Sequence, residues 1–177
     1  FEEEVISEVK NWCRGLDVKN DAMYNVYATM KNRKEGRPVI MLDAHLDECG
    51  FMVQSILENG LLSILMLGGF HLTSLPAHSV IVRTRSGKKH RGITTSKPVH
   101  FLTPAQRNDN SLDIEDILVD VGASSREEAM EVYGIRPGDP IMPDVSFEYH
   151  EENGIMYGKA FDNRLGCVSI IETMQAL

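Results

Sequence analysis

The chain has 177 residues, 42% of them hydrophobic, and a formal net charge of −8. That length accommodates one or two small domains with an ordinary globular core, and no apolar run reaches the roughly 18 residues of a membrane span. The acidic balance and the lack of a long basic block argue against nucleic acid as a main partner.

Phe1, Val5, Ile6, Val9 and Trp12 fall on one face of a helical repeat, so the chain starts inside an amphipathic helix over 2–13. Helix and strand then alternate, with elements at 25–31 and 39–43 and turns at Asn20-Asp21 and from Arg33 to Pro38. Val39 to Leu42 are four consecutive apolar residues. Such a run reads as a buried strand of a parallel sheet, apolar on both faces because both are covered. His45, Asp47 and Glu48 sit where this strand should end, which is where ligands gather in open α/β sheets. An imidazole with a carboxylate two residues on is a natural metal-site pairing: the ring binds a divalent cation and the carboxylate orients the ring. The same His-x-Asp spacing is also common in surface loops. Cys49 beside it is open to three readings, a thiolate ligand, a nucleophile or a small buried side chain.

Residues 50–57 and 61–67 read as two strands joined by Asn59-Gly60, a type I′ hairpin turn. Gly68-Gly69 ends that pattern. From about 71 the texture changes. Val80 and Val82 alternate with Ile81 and Arg83, 90–95 and 117–121 read as short strands, and Pro98, Pro104, Pro137, Pro140 and Pro143 punctuate the segment. Short strands with frequent turns suggest a small β-barrel or sandwich. Ser125-Arg126-Glu127-Glu128 is a capping-box pattern for one interrupting helix, with Gly134 as its stop. His150-Glu151-Glu152 runs into Asn153-Gly154 and reads as an exposed hairpin end. His71 and His78 flank a loop after Gly68-Gly69, with approach of His71 to a neighbouring active site or substrate as the minor reading, and His90 and His100 read as ordinary surface or partly buried residues.

Gly158-Lys159-Ala160-Phe161-Asp162-Asn163-Arg164 ends another strand and opens an apolar-periodic helix. Asp162 lies at the junction, where backbone N–H groups stabilise a carboxylate. Taken alone, it reads as an N-cap. The three cysteines, Cys13, Cys49 and Cys167, are isolated and show no Cys-x-x-Cys, as expected of reduced thiols in a cytoplasmic protein.

The blocks Ala44-His45-Leu46-Asp47-Glu48-Cys49-Gly50-Phe51-Met52, Gly68-Gly69-Phe70, Asp120-Val121-Gly122-Ala123, Gly138-Asp139 and Gly158 to Arg164 follow one order. That order resembles the cobalt- or zinc-activated aminopeptidases of the tetrahedral (TET) type, a family that includes glutamyl aminopeptidases and proteins once labelled cellulase or endoglucanase. The resemblance implies an α/β fold: a partial zinc-peptidase-like catalytic domain, with a mixed sheet and flanking helices, carrying an inserted small β-barrel domain. Residues 1–70 and 154–177 would be the two parts of the catalytic domain, and 71–153 the insertion that mediates subunit association. His45 would be a terminal ligand of one of two divalent metal ions, zinc or cobalt. Asp162 would bridge the two, and Asp47 would orient His45. Asn163 and Arg164 would support the Asp162 loop, and Cys49, where the family order has an apolar residue, would be a small buried side chain. His45 and Asp162 are 117 positions apart, so they meet only if the intervening chain leaves and returns, as an inserted domain with close ends does.

The family pattern continues after the Asp162 position with a Glu-Glu pair, an Asp and a late His. The chain reaches Leu177 before any of them, so the resemblance implies an N-terminal piece that lacks the general base and does not turn over by itself. The complete protein is expected to remove N-terminal residues from peptides and to form a homo-oligomer, a dodecamer by resemblance, with neither nucleic acid nor membrane as partner. Two other readings stand beside it: a non-catalytic assembly module of the same family, and a glycosidase.

Overall fold

The computed structural model describes residues 2–31, 34–97 and 112–177. Phe1, Arg33, Pro98, His100, Pro104 and the side chain of Val5, all used in the sequence reading, lie outside the described residues. By Cα packing the chain divides into two compact units. One comprises Phe1–Asp47 with Ala160–Leu177, the other Glu48–Lys159. The resemblance implies boundaries at 70/71 and 153/154.

The 48–159 unit is built on a closed antiparallel barrel. Its staves are β3 (Gly50–Ile56), β4 (Leu62–Leu67), β5 (Ser79–Arg83), β6 (Lys89–Thr95), β7 (Leu118–Asp120) and β8 (Pro140–Pro143), in the order β3-β4-β7-β6-β5-β8. Pairing of Phe51 with Ile141 and Met52 with Pro140 closes the ring. Closure removes free sheet edges. Strand alternation sends one face inward: Phe51 and Val53 on β3, Leu62 and Ile64 on β4, Val80 and Val82 on β5, and Val119 on β7 are buried. Ile117, Ile135 and Ile141 complete the core, and Phe70 stacks on Phe51 at 4.6 Å between ring centroids.

The β3–β4 turn differs from a type I′ turn. Of its residues only Gly60 has positive φ (85°), and Leu57 N–H donates to the Leu61 carbonyl at 2.8 Å. This is a three-residue connection with glycine in the left-handed position, a type I turn followed by a bulge. A side chain at Gly60 would also press on the Ala123 carbonyl, 2.3 Å from where its Cβ would lie. The helix read at 125–134 is a short π-helical turn, Glu128–Val132, followed by Gly134 at φ 75°. Ser125 Oγ accepts the Glu128 N–H at 3.1 Å, but the Glu128 carboxylate bonds back to Ser124 rather than to Ser125. The exposed hairpin β9 (Glu148–His150) and β10 (Ile155–Tyr157) turns over residues 151–154.

The other unit holds α1 (Glu2–Trp12), a two-stranded antiparallel sheet of β1 (Asp17–Asn20) and β2 (Val26–Thr29), and α2 (Phe161–Ala176). Ile6, Cys13 and Ile171 are its buried apolar residues among those described. Val39 to Leu42 is not the buried strand expected of it. The segment has no regular secondary structure, and Ile40 and Met41 are 85% and 81% exposed. A run apolar on both faces is buried only when strands flank it and layers cover it. Within this unit no described strand pairs with it. Cys49, expected buried, is exposed.

Candidate metal centre

The chain reaches His45 without the constraint of a strand, so side chains and the following helix fix its position. Residues 160–164 form an irregular turn. Ala160 takes a left-handed conformation (φ 60°, ψ 18°), Asp162 and Asn163 have non-helical backbone angles, and Arg164 N–H donates to the Ala160 carbonyl at 3.1 Å. A left-handed alanine is an unfavourable conformation held by its surroundings, and such residues cluster at functional sites. Regular α2 therefore begins at Arg164, and Asp162 does not act as its N-cap. The Asn163 side-chain amide folds onto Gly166, into the space that a Cβ there would occupy.

The turn brings Asp162 to His45. His45 Nε2 lies 3.1 Å from Asp162 Oδ1, and His45 Nδ1 lies 3.2 Å from Asp47 Oδ1 and 3.3 Å from the Asp47 carbonyl. One imidazole thus sits between two aspartates. A neutral imidazole carries a single N–H. If Nδ1 donates it to Asp47, Nε2 turns a lone pair on a carboxylate oxygen. Two acceptors at that distance repel unless a proton or a cation lies between them.

These residues fit a divalent cation in part. Bonds near 2.0–2.1 Å place adjacent donors of a tetrahedral site about 3.3 Å apart, close to the observed pair. Asp47 on the far nitrogen is the carboxylate–imidazole arrangement that fixes ring tautomer and orientation at metal sites. Exposure argues in the same direction. The Asp162 side chain is 96% exposed, and an ion pair so open to water contributes at most about 1 kcal/mol to stability. Fold stability does not account for the arrangement. The donor set is incomplete: among the described residues no group of three or more His, Cys, Asp or Glu side chains is placed to hold a metal.

Two contacts have no mark in the sequence. Arg164, expected to support the Asp162 loop, donates from Nε to the Leu46 carbonyl at 2.9 Å. Cys167 donates its thiol to the His45 carbonyl at 3.4 Å. Burial pushes the Cys167 thiol up, which keeps it protonated and able to donate. Glu48, read beside His45 and Asp47, pairs instead with Lys159 at 2.7 Å inside the barrel unit. None of these pairings has a local signature, since the partners lie 111 to 122 positions apart.

The M42 glutamyl aminopeptidase family matches residues 25–177. The chain belongs to that family. Its members are metallopeptidases. The chain is 32% identical to the glutamyl aminopeptidase of Lactococcus lactis subsp. cremoris (strain MG1363) over 163 residues, covering 92% of this chain and 46% of that protein. The TET aminopeptidase from the marine sediment archaeon Thaumarchaeota archaeon SCGC AB-539-E09 superposes with a TM-score of 0.82 at 36% identity, covering 97% of this chain and 47% of that one. The Pyrococcus horikoshii TET1 peptidase, which can assemble into a tetrahedron or a large octahedral shell, superposes with a TM-score of 0.77 at 28% identity, covering 100% and 51%. This M42 chain therefore spans about half the length of the relatives it matches. Among its described residues no helix is long and apolar enough to cross a membrane.

Proposed function

We propose that this M42 chain contributes the first part of the catalytic centre of a metal-dependent aminopeptidase that removes N-terminal residues from peptides. The observation that carries the reading is the meeting of His45 Nε2 and Asp162 Oδ1 at 3.1 Å across 117 positions of sequence, with Asp47 on the opposite ring nitrogen. His45 is proposed as a terminal ligand through Nε2, and Asp162 as the carboxylate shared by two zinc or cobalt ions. Bound divalent cations supply Lewis acidity to a peptide carbonyl and lower the pKa of an attacking water. Asp47 keeps the proton on Nδ1, so that Nε2 presents its lone pair to the site. The remaining donors and the general base belong, in this reading, to the half of the relatives' length that the chain does not span. Turnover is accordingly expected of the complete protein and not of these 177 residues.

The barrel is proposed as the inserted assembly domain of a homo-oligomer. The assembling TET1 relative supports that reading. The three free thiols fit a cytoplasmic location.

The test is hydrolysis of aminoacyl-p-nitroanilides by the complete protein, chelated and then restored with cobalt or zinc. His45→Ala and Asp162→Ala are each expected to abolish the restored activity. Asp47→Asn is expected to lower it about 10- to 100-fold while metal still binds, as outer partners of ligating histidines do. Normal rates in any of the three refute that residue's role. Metal-independent cleavage of a glycoside with no peptidase activity refutes the whole reading in favour of a glycosidase.

A further inference from the structure

The helix that follows Asp162 also grips the backbone around His45. Arg164 and Cys167 lie three positions apart, on one side of α2. From there Arg164 Nε reaches the Leu46 carbonyl at 2.9 Å and Cys167 Sγ the His45 carbonyl at 3.4 Å. The segment they hold has no regular secondary structure of its own. Within this unit no strand ladder is described that sets where the His45 ring lies relative to Asp162. Besides the direct His45–Asp162 contact, the two side-chain donors couple this backbone to α2.

We infer that Arg164 and Cys167 are positioning residues that lock the His45–Leu46 backbone to α2, so that His45 and Asp162 form a preset pair of ligands rather than two independent ones. The inference rests on the metal reading above. The guanidinium is the stronger hold, since a charged donor to a carbonyl outweighs a thiol. Arg164 sits two residues from Asp162, so movement of α2 carries the acid and the grip on the histidine together. A ligand pair with fixed separation needs no ordering on binding and so takes up a cation more tightly than the same residues on a loose loop.

The experiment uses the chain itself, with two readouts. Cobalt(II) binding is followed by calorimetry, and the spatial contact between the His45 ring and the residue 162 methylene is followed by proton NMR without metal. Far-UV circular dichroism confirms folding of each variant. Arg164→Ala is expected to lower cobalt affinity about tenfold or more and to abolish the metal-free contact. Arg164→Lys, which keeps a charged donor, recovers part of both and serves in its place should the alanine variant fail to fold. Cys167→Ser keeps a donor and stays close to the parent, whereas Cys167→Ala loses affinity. A residue that merely filled space would show the reverse order. Parent-like affinity and an intact contact in Arg164→Ala overturn the inference, and parent-like behaviour of Cys167→Ala removes Cys167 from it. The metal reading fails separately, if His45→Ala and Asp162→Ala bind cobalt as the parent does. In that case the metal-free contact alone decides whether the grip exists.

Discussion

In the barrel unit Phe51, Leu62, Val80, Val82, Val119 and Ile141 are each at most 2% exposed, while in the unit that carries His45 and Asp162 the run Val39, Ile40, Met41, Leu42 is 66%, 85%, 81% and 48% exposed. The residue types are the same and the neighbours differ. Around the barrel each strand has a partner on both sides, so alternate side chains turn into one shared interior. Among the described residues no strand pairs with the apolar run in its unit, and Ile40 and Met41 stay mostly in water. Hydrophobicity alone does not yield stability. It acts at roughly 25 cal/mol per Å2 only where surface is removed from water.

The sharpest way to break the comparison is to truncate one residue from each region. Phe51→Ala leaves a cavity in a closed core and should cost about 3–5 kcal/mol. Ile40→Ala, at 85% exposed, should change stability by no more than about 0.5 kcal/mol. Urea unfolding of the chain, followed through the barrel's circular dichroism and through NMR signals of each unit, measures both. Comparable losses from the two substitutions would mean that the run is covered in solution and that the contrast between the regions is false.

The contrast also explains which features were legible in the amino-acid pattern. The barrel's strands announced themselves because their period of two is local: Val80 and Val82 face in while Ile81 and Arg83 do not. Val39 to Leu42 was misread because a continuous apolar run specifies a strand only in company, and pattern carries no information about company. The β3–β4 turn was placed correctly at Asn59-Gly60, yet its type depended on Asn59 staying out of the left-handed region, which residue identity does not decide. At the proposed site, short blocks and their order single out His45, Asp47 and Asp162 as candidates, and Arg164 as a support of the Asp162 loop, but not the contacts that Arg164 and Cys167 make. Arg164 and Cys167 bond to main-chain carbonyls, which every residue possesses, so no residue type on the other side marks the partner.

A smaller effect probes polar contacts within the barrel unit. The Ser124 hydroxyl and then its backbone N–H, at 2.6 and 2.7 Å, hold the Glu128 carboxyl below the usual glutamate range. A carboxylate whose folded pKa is lowered contributes stability above its unfolded value, and that stability is lost as pH falls through the folded value. The melting temperature of the parent is therefore expected to drop more as pH falls from about 4.5 to about 3 than that of Glu128→Gln, since the window lies below the ordinary glutamate pKa. The group is exposed, so the difference is expected to be small beside the Phe51 cavity. Identical acid slopes for the two proteins would show that this cap does not contribute, and that acid sensitivity arises elsewhere.

The smallest effect lies where the barrel is not self-consistent. In the β5–β6 pair Arg83 stands directly opposite Lys89, two cations in register. Like charges directly opposed on adjacent strands destabilise by a few tenths of a kcal/mol, and opposite charges contribute a similar amount. Lys89 is exposed, and Val82 and Thr84, on either side of Arg83, are buried, so the register of this hairpin is set from inside the barrel and does not depend on the surface pair. Lys89→Glu should therefore leave the fold unchanged and raise stability by about 0.2–1 kcal/mol at low salt. The gain should shrink at about 1 M salt, where screening acts over about 3 Å. A gain that persists at high salt would point to strand preference or packing rather than charge. A loss of stability at low salt would mean that the two cations face an acidic neighbour in solution, so that the outer surface of this barrel is not set by the register of the hairpin alone.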